Sequence, residues 1–227
     1  MTRNWNGFWI GSGAQARWRS SCRLLPQQRQ GAEQGSSAGD CRCYTIVSMA
    51  IGTGITIEEF ERLPAALAHN HELVNGELVD VSGNTGGHNR LRDRLVALLI
   101  APVEEQEIGI IISEQEYDFG GNAHGPDVSF IGAAKLHLFE RKRRVQRFVP
   151  DLAIEIVSEN DTFKGLMEKA LRYRQCGTQE VWILSPDTRQ ALVESEDRRT
   201  ILGDDQMFES KLIPGFGIRL SDLFDQA

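Results

Sequence analysis

The stretch Pro150-Asp151-Leu152-Ala153-Ile154-Glu155-Ile156-Val157 decides the fold. Its nearly continuous apolar run reads as a central strand covered on both faces. Leu152, Ile154 and Ile156 point to one face; Asp151, Ala153, Glu155 and Val157 point to the other. A carboxylate in the middle of such a strand is costly unless it is paired, hydrogen-bonded or bound to metal. Glu155 therefore either meets a basic partner, caps a nearby helix or serves chemistry.

Downstream, a helix is expected from Asp161 as N-cap to about Gln175, ended by Gly177. A strand Glu180–Leu184, a turn at Pro186-Asp187-Thr188 and a strand from Ala191 follow, with a short helix near Ser221–Phe224 at the end. Upstream, Asp127–Ile131 forms a short strand directly after Pro126, and Gly109 opens a strand to about Tyr117. Leu91, Leu95, Leu98 and Leu99 form the stripe of a helix from His88 to about Ala101, which Pro102 should end or kink. Asn75-Gly76 joins two strands, His71–Val74 and Glu77–Val81, in a tight hairpin. Thr56-Ile57-Glu58-Glu59 has the capping-box form and starts a helix to about Leu67. Hairpins around one strand–helix–strand unit give an α/β or α+β fold with a central mixed sheet flanked by helices.

The chain has two compositions. Residues 1–48 hold six arginines and no lysine, against Glu33 and Asp40. Their net charge is +4, which leaves −11 of the total −7 to the remainder. They also hold Trp5, Trp9, Trp18, Cys22, Cys41 and Cys43, with no sustained apolar period. We read residues 1–48 as a disordered extension, or as an over-long gene reading ahead of a true start at Met49; a basic tail that tethers nucleic acid is the competing reading. The domain proper is 49–227. Cys41 and Cys43 have no second Cys/His pair at zinc spacing. No apolar run is long enough for a membrane span and the N-terminus has no secretory apolar segment, so a cytoplasmic protein is expected.

Asp127 starts one strand and Glu155 lies inside the next, so the two can converge on one divalent cation. Hard oxygen donors suit Mg²⁺ or Mn²⁺, with water and substrate phosphate completing the shell. On the following helix, Phe163, Leu166, Met167, Ala170 and Leu171 make the apolar arc, and Lys169 falls at its edge, beside Leu166 and Tyr173. Lys169 is either a lysine snorkelling from the helix flank or an ammonium brought to the carboxylates. The basic loop Arg141-Lys142-Arg143-Arg144, with Arg147, is either a backbone contact for nucleic acid or a solvated charged loop.

Glu72-Leu-Val-Asn-Gly-Glu77, His88, Gly125-Pro-Asp127-Val-Ser-Phe, Asp151-Leu-Ala-Ile-Glu155-Ile-Val-Ser158 and Lys169-x3-Tyr173-x3-Gly177-x4-Trp182 occur in that order. The series, over about residues 55–225, resembles the Uma-two family of nuclease-like proteins in the PD-(D/E)XK, restriction-endonuclease-like superfamily. The resemblance implies a mixed sheet of four to five strands flanked by helices, and metal ligation by Asp127 and Glu155. It makes Lys169 the signature lysine, moved onto the helix from the position held here by Val157, and Glu72 a further acidic group. His88 matches a recurrent position. Two places depart from the family pattern: His124-Gly125 stands where an arginine often precedes the Pro-Asp, and Ser158-Glu159 replaces Ser-Pro. The implied activity is Mg²⁺- or Mn²⁺-dependent hydrolysis of phosphodiester bonds in nucleic acid, DNA above all; no membrane partner is expected, and a homodimer is a possible assembly. The alternative is a nuclease-like domain that binds nucleic acid or a protein partner without turnover, which the acidic net charge favours.

Overall fold

The computed structural model describes residues 54–225, except Ser82 and Asp197. Residues 1–48, with Cys22, Cys41 and Cys43, and the expected start at Met49 lie outside the described residues.

Thr56 and Glu59 close the expected capping box on α1 (Ile57–Glu61). The helix stops there, because Pro64 disfavours helical geometry at Leu63 and opens a separate turn, α2 (Ala65–Ala68). The hairpin forms as expected: β1 (His71–Val74) and β2 (Glu77–Asp80) pair with Val74 opposite Glu77, and Asn75 and Gly76 both take positive φ. The long helix α3 (Gly86–Glu105) continues past Pro102 rather than ending there. Leu99 and Val103, on either side of the proline, are both fully buried. Their burial outweighs the roughly 3 kcal/mol that an internal proline costs a helix.

The expected strand 109–117 is two strands, β3 (Gly109–Ser113) and β4 (Glu116–Asp118), broken where Glu114 adopts φ +54°. Then come β5 (Ala123–His124), β6 (Val128–Gly132), a 3-10 turn, β7 (Val145–Gln146) and β8 (Leu152–Ile156). Helix α4 (Phe163–Gln175) is capped by Thr162, whose hydroxyl accepts from Gly165 N–H. Asp161, the expected cap, instead accepts from the Ser158 N–H and hydroxyl, both at 2.8 Å. Gly177 ends the helix at φ +105°, a conformation only glycine takes freely. The chain finishes with β9 (Glu180–Ser185), β10 (Gln190–Glu194), β11 (Arg199–Leu202), β12 (Met207–Glu209), β13 (Gly217–Arg219) and α5 (Leu220–Asp225).

The central sheet has six strands in the order β11-β10-β9-β8-β6-β3, parallel only between β8 and β9. A second sheet of five short strands, β2-β1-β5-β4-β7, and a ribbon β12-β13 complete the fold. The expected four- to five-stranded sheet is thus enlarged, because hairpins add β10 and β11 at one edge.

The two faces of β8 separate as the alternation predicts. Leu152, Ile154 and Ile156 join a core with Leu91, Leu95 and Leu99 of α3, Trp182 of β9 and Leu220 of α5. Ala153 faces the other way, among Leu166, Ala170 and Tyr173 of α4. The helix arc differs from the expected one: Phe163 and Leu171 are 70% and 51% exposed, while Tyr173 is fully buried. That rotation carries Lys169 inward, toward the face of β8 that bears Glu155.

Candidate active site

A cleft of about 840 Å³ lies where α4, the end of β8 and the β1–β5 part of the second sheet meet; Glu72, His88, Asp127, Glu155, Lys169 and Arg172 are among its lining residues. The four acidic and basic residues singled out in the sequence are therefore brought together.

Lys169 sits between two carboxylates, its Nζ 3.0 Å from Glu72 Oε1 and 3.2 Å from Glu155 Oε2. Tyr173, one helical turn on, donates its hydroxyl to Glu155 Oε1 at 2.6 Å. Glu72 accepts further from His124 Nδ1–H at 2.8 Å and from Gly125 N–H at 3.1 Å. Asp127 stands just before β6 and is pinned on both oxygens: Oδ2 accepts from Ile156 N–H at 2.7 Å, and Oδ1 from His88 Nε2–H at 2.8 Å. His88 is placed by Thr85, the N-cap of α3, whose hydroxyl accepts from the His88 N–H.

Charge follows geometry. Burial pushes Glu155 up to about 7; Lys169 pulls against that, while Asp127 and Glu72 add to it. Burial would raise Glu72 too, but Lys169 and His124 outweigh it and hold that carboxyl at about 2. Burial opposes the Lys169 ammonium, yet Glu155 and Glu72 prevail and raise its pKa above the ordinary lysine value. Burial likewise opposes the charged form of His88, and Asp127 overcomes it, so its pKa is raised. Burial keeps His124 neutral, with Lys169 and Arg172 adding to the effect. Its Nδ1–H therefore donates to Glu72 and its Nε2 accepts from Arg172.

These residues make a cation-deficient acidic cleft. Each oxygen of Asp127 and of Glu155 accepts one hydrogen bond and keeps a further lone pair. Among the described residues no three His, Cys, Asp or Glu side chains converge as a ready metal cage. Two carboxylates with spare lone pairs and a deficit of positive charge fit a hard divalent cation that takes its remaining ligands from water and phosphate.

The sequence model of the Uma2 family, described as "Putative restriction endonuclease", matches residues 57–221. The chain belongs to the Uma2 family. Glu72, Asp127, Glu155 and Lys169 all lie within the Uma2 match. A solved structure from Anabaena variabilis, described as a "putative nuclease belonging to DUF820", shares the fold: TM-score 0.68 and 22% identity over 76% of this chain and 98% of that one. No curated protein matches the chain. Among the described residues no helix is long and apolar enough to cross a membrane.

Three participants escaped the sequence reading. His124 stands beside the Gly125-Pro126-Asp127 motif, but its partner Glu72 is 52 residues away. Tyr173 carried a signal, since four residues from Lys169 is the same helix face. Arg172 carried none. In the basic loop Arg143 pairs with Glu140, Arg144 with Glu116, and Arg147 with Glu58 and Glu61, whereas Arg141 and Lys142 are exposed.

Proposed function

We propose that this Uma2 chain is a Mg²⁺- or Mn²⁺-dependent endonuclease that hydrolyses phosphodiester bonds in DNA, working in the cytoplasm through the domain 49–227. The observation that carries the reading is the Lys169 ammonium held between Glu72 and Glu155, in one cleft with Asp127. A buried lysine shared by two acids is costly for stability alone, and an ammonium in an acidic cleft is a group that can offset charge developing on a transferring phosphate.

Asp127 and Glu155 would hold the cation. When bound, it supplies the charge that polarises a phosphodiester and acidifies water. The remaining work belongs to the chain. Glu72 keeps Lys169 charged and aimed into the cleft, where the ammonium offsets negative charge developing on the phosphate. Tyr173 fixes the rotamer of Glu155 by its hydroxyl. His88 and the Ile156 N–H fix the plane of Asp127 from opposite oxygens. His88 is a positioning residue in this scheme, as is Glu72.

The test is cleavage of DNA by the purified chain with Mg²⁺ or Mn²⁺. Activity should vanish in EDTA and in Asp127→Ala and Lys169→Ala. Cleavage that survives both substitutions would place the chemistry elsewhere.

A further inference from the structure

Three long-chain cations line the cleft, Arg144, Lys169 and Arg172. Two are spent. Arg144 forks onto Glu116 with contacts of 2.6 and 2.7 Å, and Lys169 bridges Glu72 and Glu155. Arg172 differs: its recorded partners are neutral, His124 Nε2 at 3.5 Å and Asn75 Oδ1 at 3.4 Å, and among the described residues it makes no ion pair with a carboxylate. Both contacts are at the long limit for hydrogen bonds, so most of its five N–H donors are uncommitted. Yet the cleft around it is lined by Glu72, Glu116, Asp127 and Glu155. A guanidinium placed for folding alone would be expected to close on an acid; this one is held off them.

Asn75, one of the two contacts of Arg172, is tied into the fold. Asn75 is the tip of the β1–β2 hairpin, at φ +52°, and its N–H is fixed by Asn122 Oδ1 at 2.7 Å. Arg172 and Lys169 are three apart on α4, so they are surface neighbours, roughly 5–6 Å between Cβ atoms. Nucleic acid presents its phosphates in series, and a guanidinium fork matches two oxygens of one phosphate.

We infer that Arg172 is a phosphate clamp, which grips the backbone phosphate next to the one presented to Lys169. This rests on the nucleic-acid reading above. The clamp is also linked to the reaction centre: Arg172 donates to His124, and His124 donates from its other nitrogen to Glu72, which holds Lys169. Substrate backbone held at Arg172 is thereby registered against the ammonium, one turn away.

The experiment measures binding of a short fluorescein-labelled oligodeoxynucleotide to the full chain in EDTA, by anisotropy at several salt concentrations. Arg172→Gln should weaken binding about tenfold or more and reduce the slope of log affinity against log salt by about one. Arg172→Lys should recover the slope, which reads charge, but not the whole affinity, which needs the fork. Inorganic pyrophosphate should raise the melting temperature of the parent chain and not that of Arg172→Gln. Unchanged affinity and slope in Arg172→Gln overturn the clamp, as does a parent chain that binds neither oligonucleotide nor pyrophosphate. Cleavage has no part in these readouts. A chain that binds through Arg172 and hydrolyses nothing therefore overturns the endonuclease reading and leaves the clamp standing.

Discussion

Asp151 and Glu155 belong to one strand segment, share a face by parity and are almost equally buried, at 5% and 7% exposure. Their surroundings are opposite. Asp151 has a lysine of its own, Lys135 Nζ at 2.8 Å, and also accepts from Gly132 N–H at 2.8 Å and Gln179 Nε2–H at 2.6 Å. A Cβ at Gly132 would stand 2.8 Å from the Asp151 carboxylate, which would have to shift and loosen these contacts. Glu155 shares its lysine with Glu72 and has Asp127 close enough to raise its pKa. Burial of a carboxylate is thus no sign of chemistry in itself. The distinguishing mark is whether positive charge around it is complete, as at Asp151, or deficient, as at Glu155.

The comparison can be broken at several points. Asp127→Ala and Lys169→Ala should reduce cleavage at least about a thousandfold, while Asp151→Ala should leave cleavage within a few-fold, as measured on one DNA substrate. Asp151→Ala should instead cost about 2–4 kcal/mol in urea denaturation, because it strands Lys135, the Gly132 N–H and Gln179. Equal stability losses at Asp151 and Glu155 would erase the distinction.

Mn²⁺ should raise the melting temperature of the parent chain, by the equivalent of about 2.7 kcal/mol at a hundred times its dissociation constant, and leave Glu155→Gln unmoved. A smaller effect is expected from Glu155→Gln without metal. The Glu155 pKa rises from 4.5 in the unfolded chain to about 7 in the fold. The folded state therefore holds the proton more tightly, and this carboxyl costs stability progressively as pH rises from 4.5 to about 7. Glu155→Gln should accordingly be more stable than the parent at pH 8, by of order 1–3 kcal/mol, and equal to it near pH 4.5. Glu72 acts in the other direction: its pKa falls from 4.5 to about 2, so its contribution is complete above 4.5 and is lost as pH falls toward 2. Tyr173→Phe, the mildest change, should slow cleavage through misorientation of Glu155 and cost about 1 kcal/mol of stability.

The parts of the molecule legible in the sequence are those with a local period. The faces of β8, the Asn75-Gly76 hairpin and the glycine stop at Gly177 follow from patterns a few residues long. The rest of the second sheet does not, since β5 and β7 have two residues each and too few side chains to show alternation. That the helix does not end at Pro102 is not legible locally, because the burial of Leu99 and Val103 that carries it onward is revealed only by the assembled core. In the site, Asp127 and Glu155 were visible as acids on neighbouring strands. The two histidines were not assigned roles because their partners lie 39 and 52 residues away along the chain. Lys169 needs the family resemblance: the expected apolar arc includes Phe163 and Leu171, whose exposure in the fold shows the buried face turned by part of a residue step.

Helix α4 carries Lys169, Arg172 and Tyr173 on one side, and this makes the site sensitive to phase rather than to composition alone. A single residue inserted near Met167 would rotate all three by about 100°, away from Glu155 together. A single residue lost within β8 would turn Glu155 through a half-revolution into the Leu91–Trp182 core. The two elements are clocked differently, by 3.6 and by 2, and the cleft exists only at the setting where both clocks agree. Substitution can erode such a site one group at a time, but a one-residue shift in either element removes it in a single event.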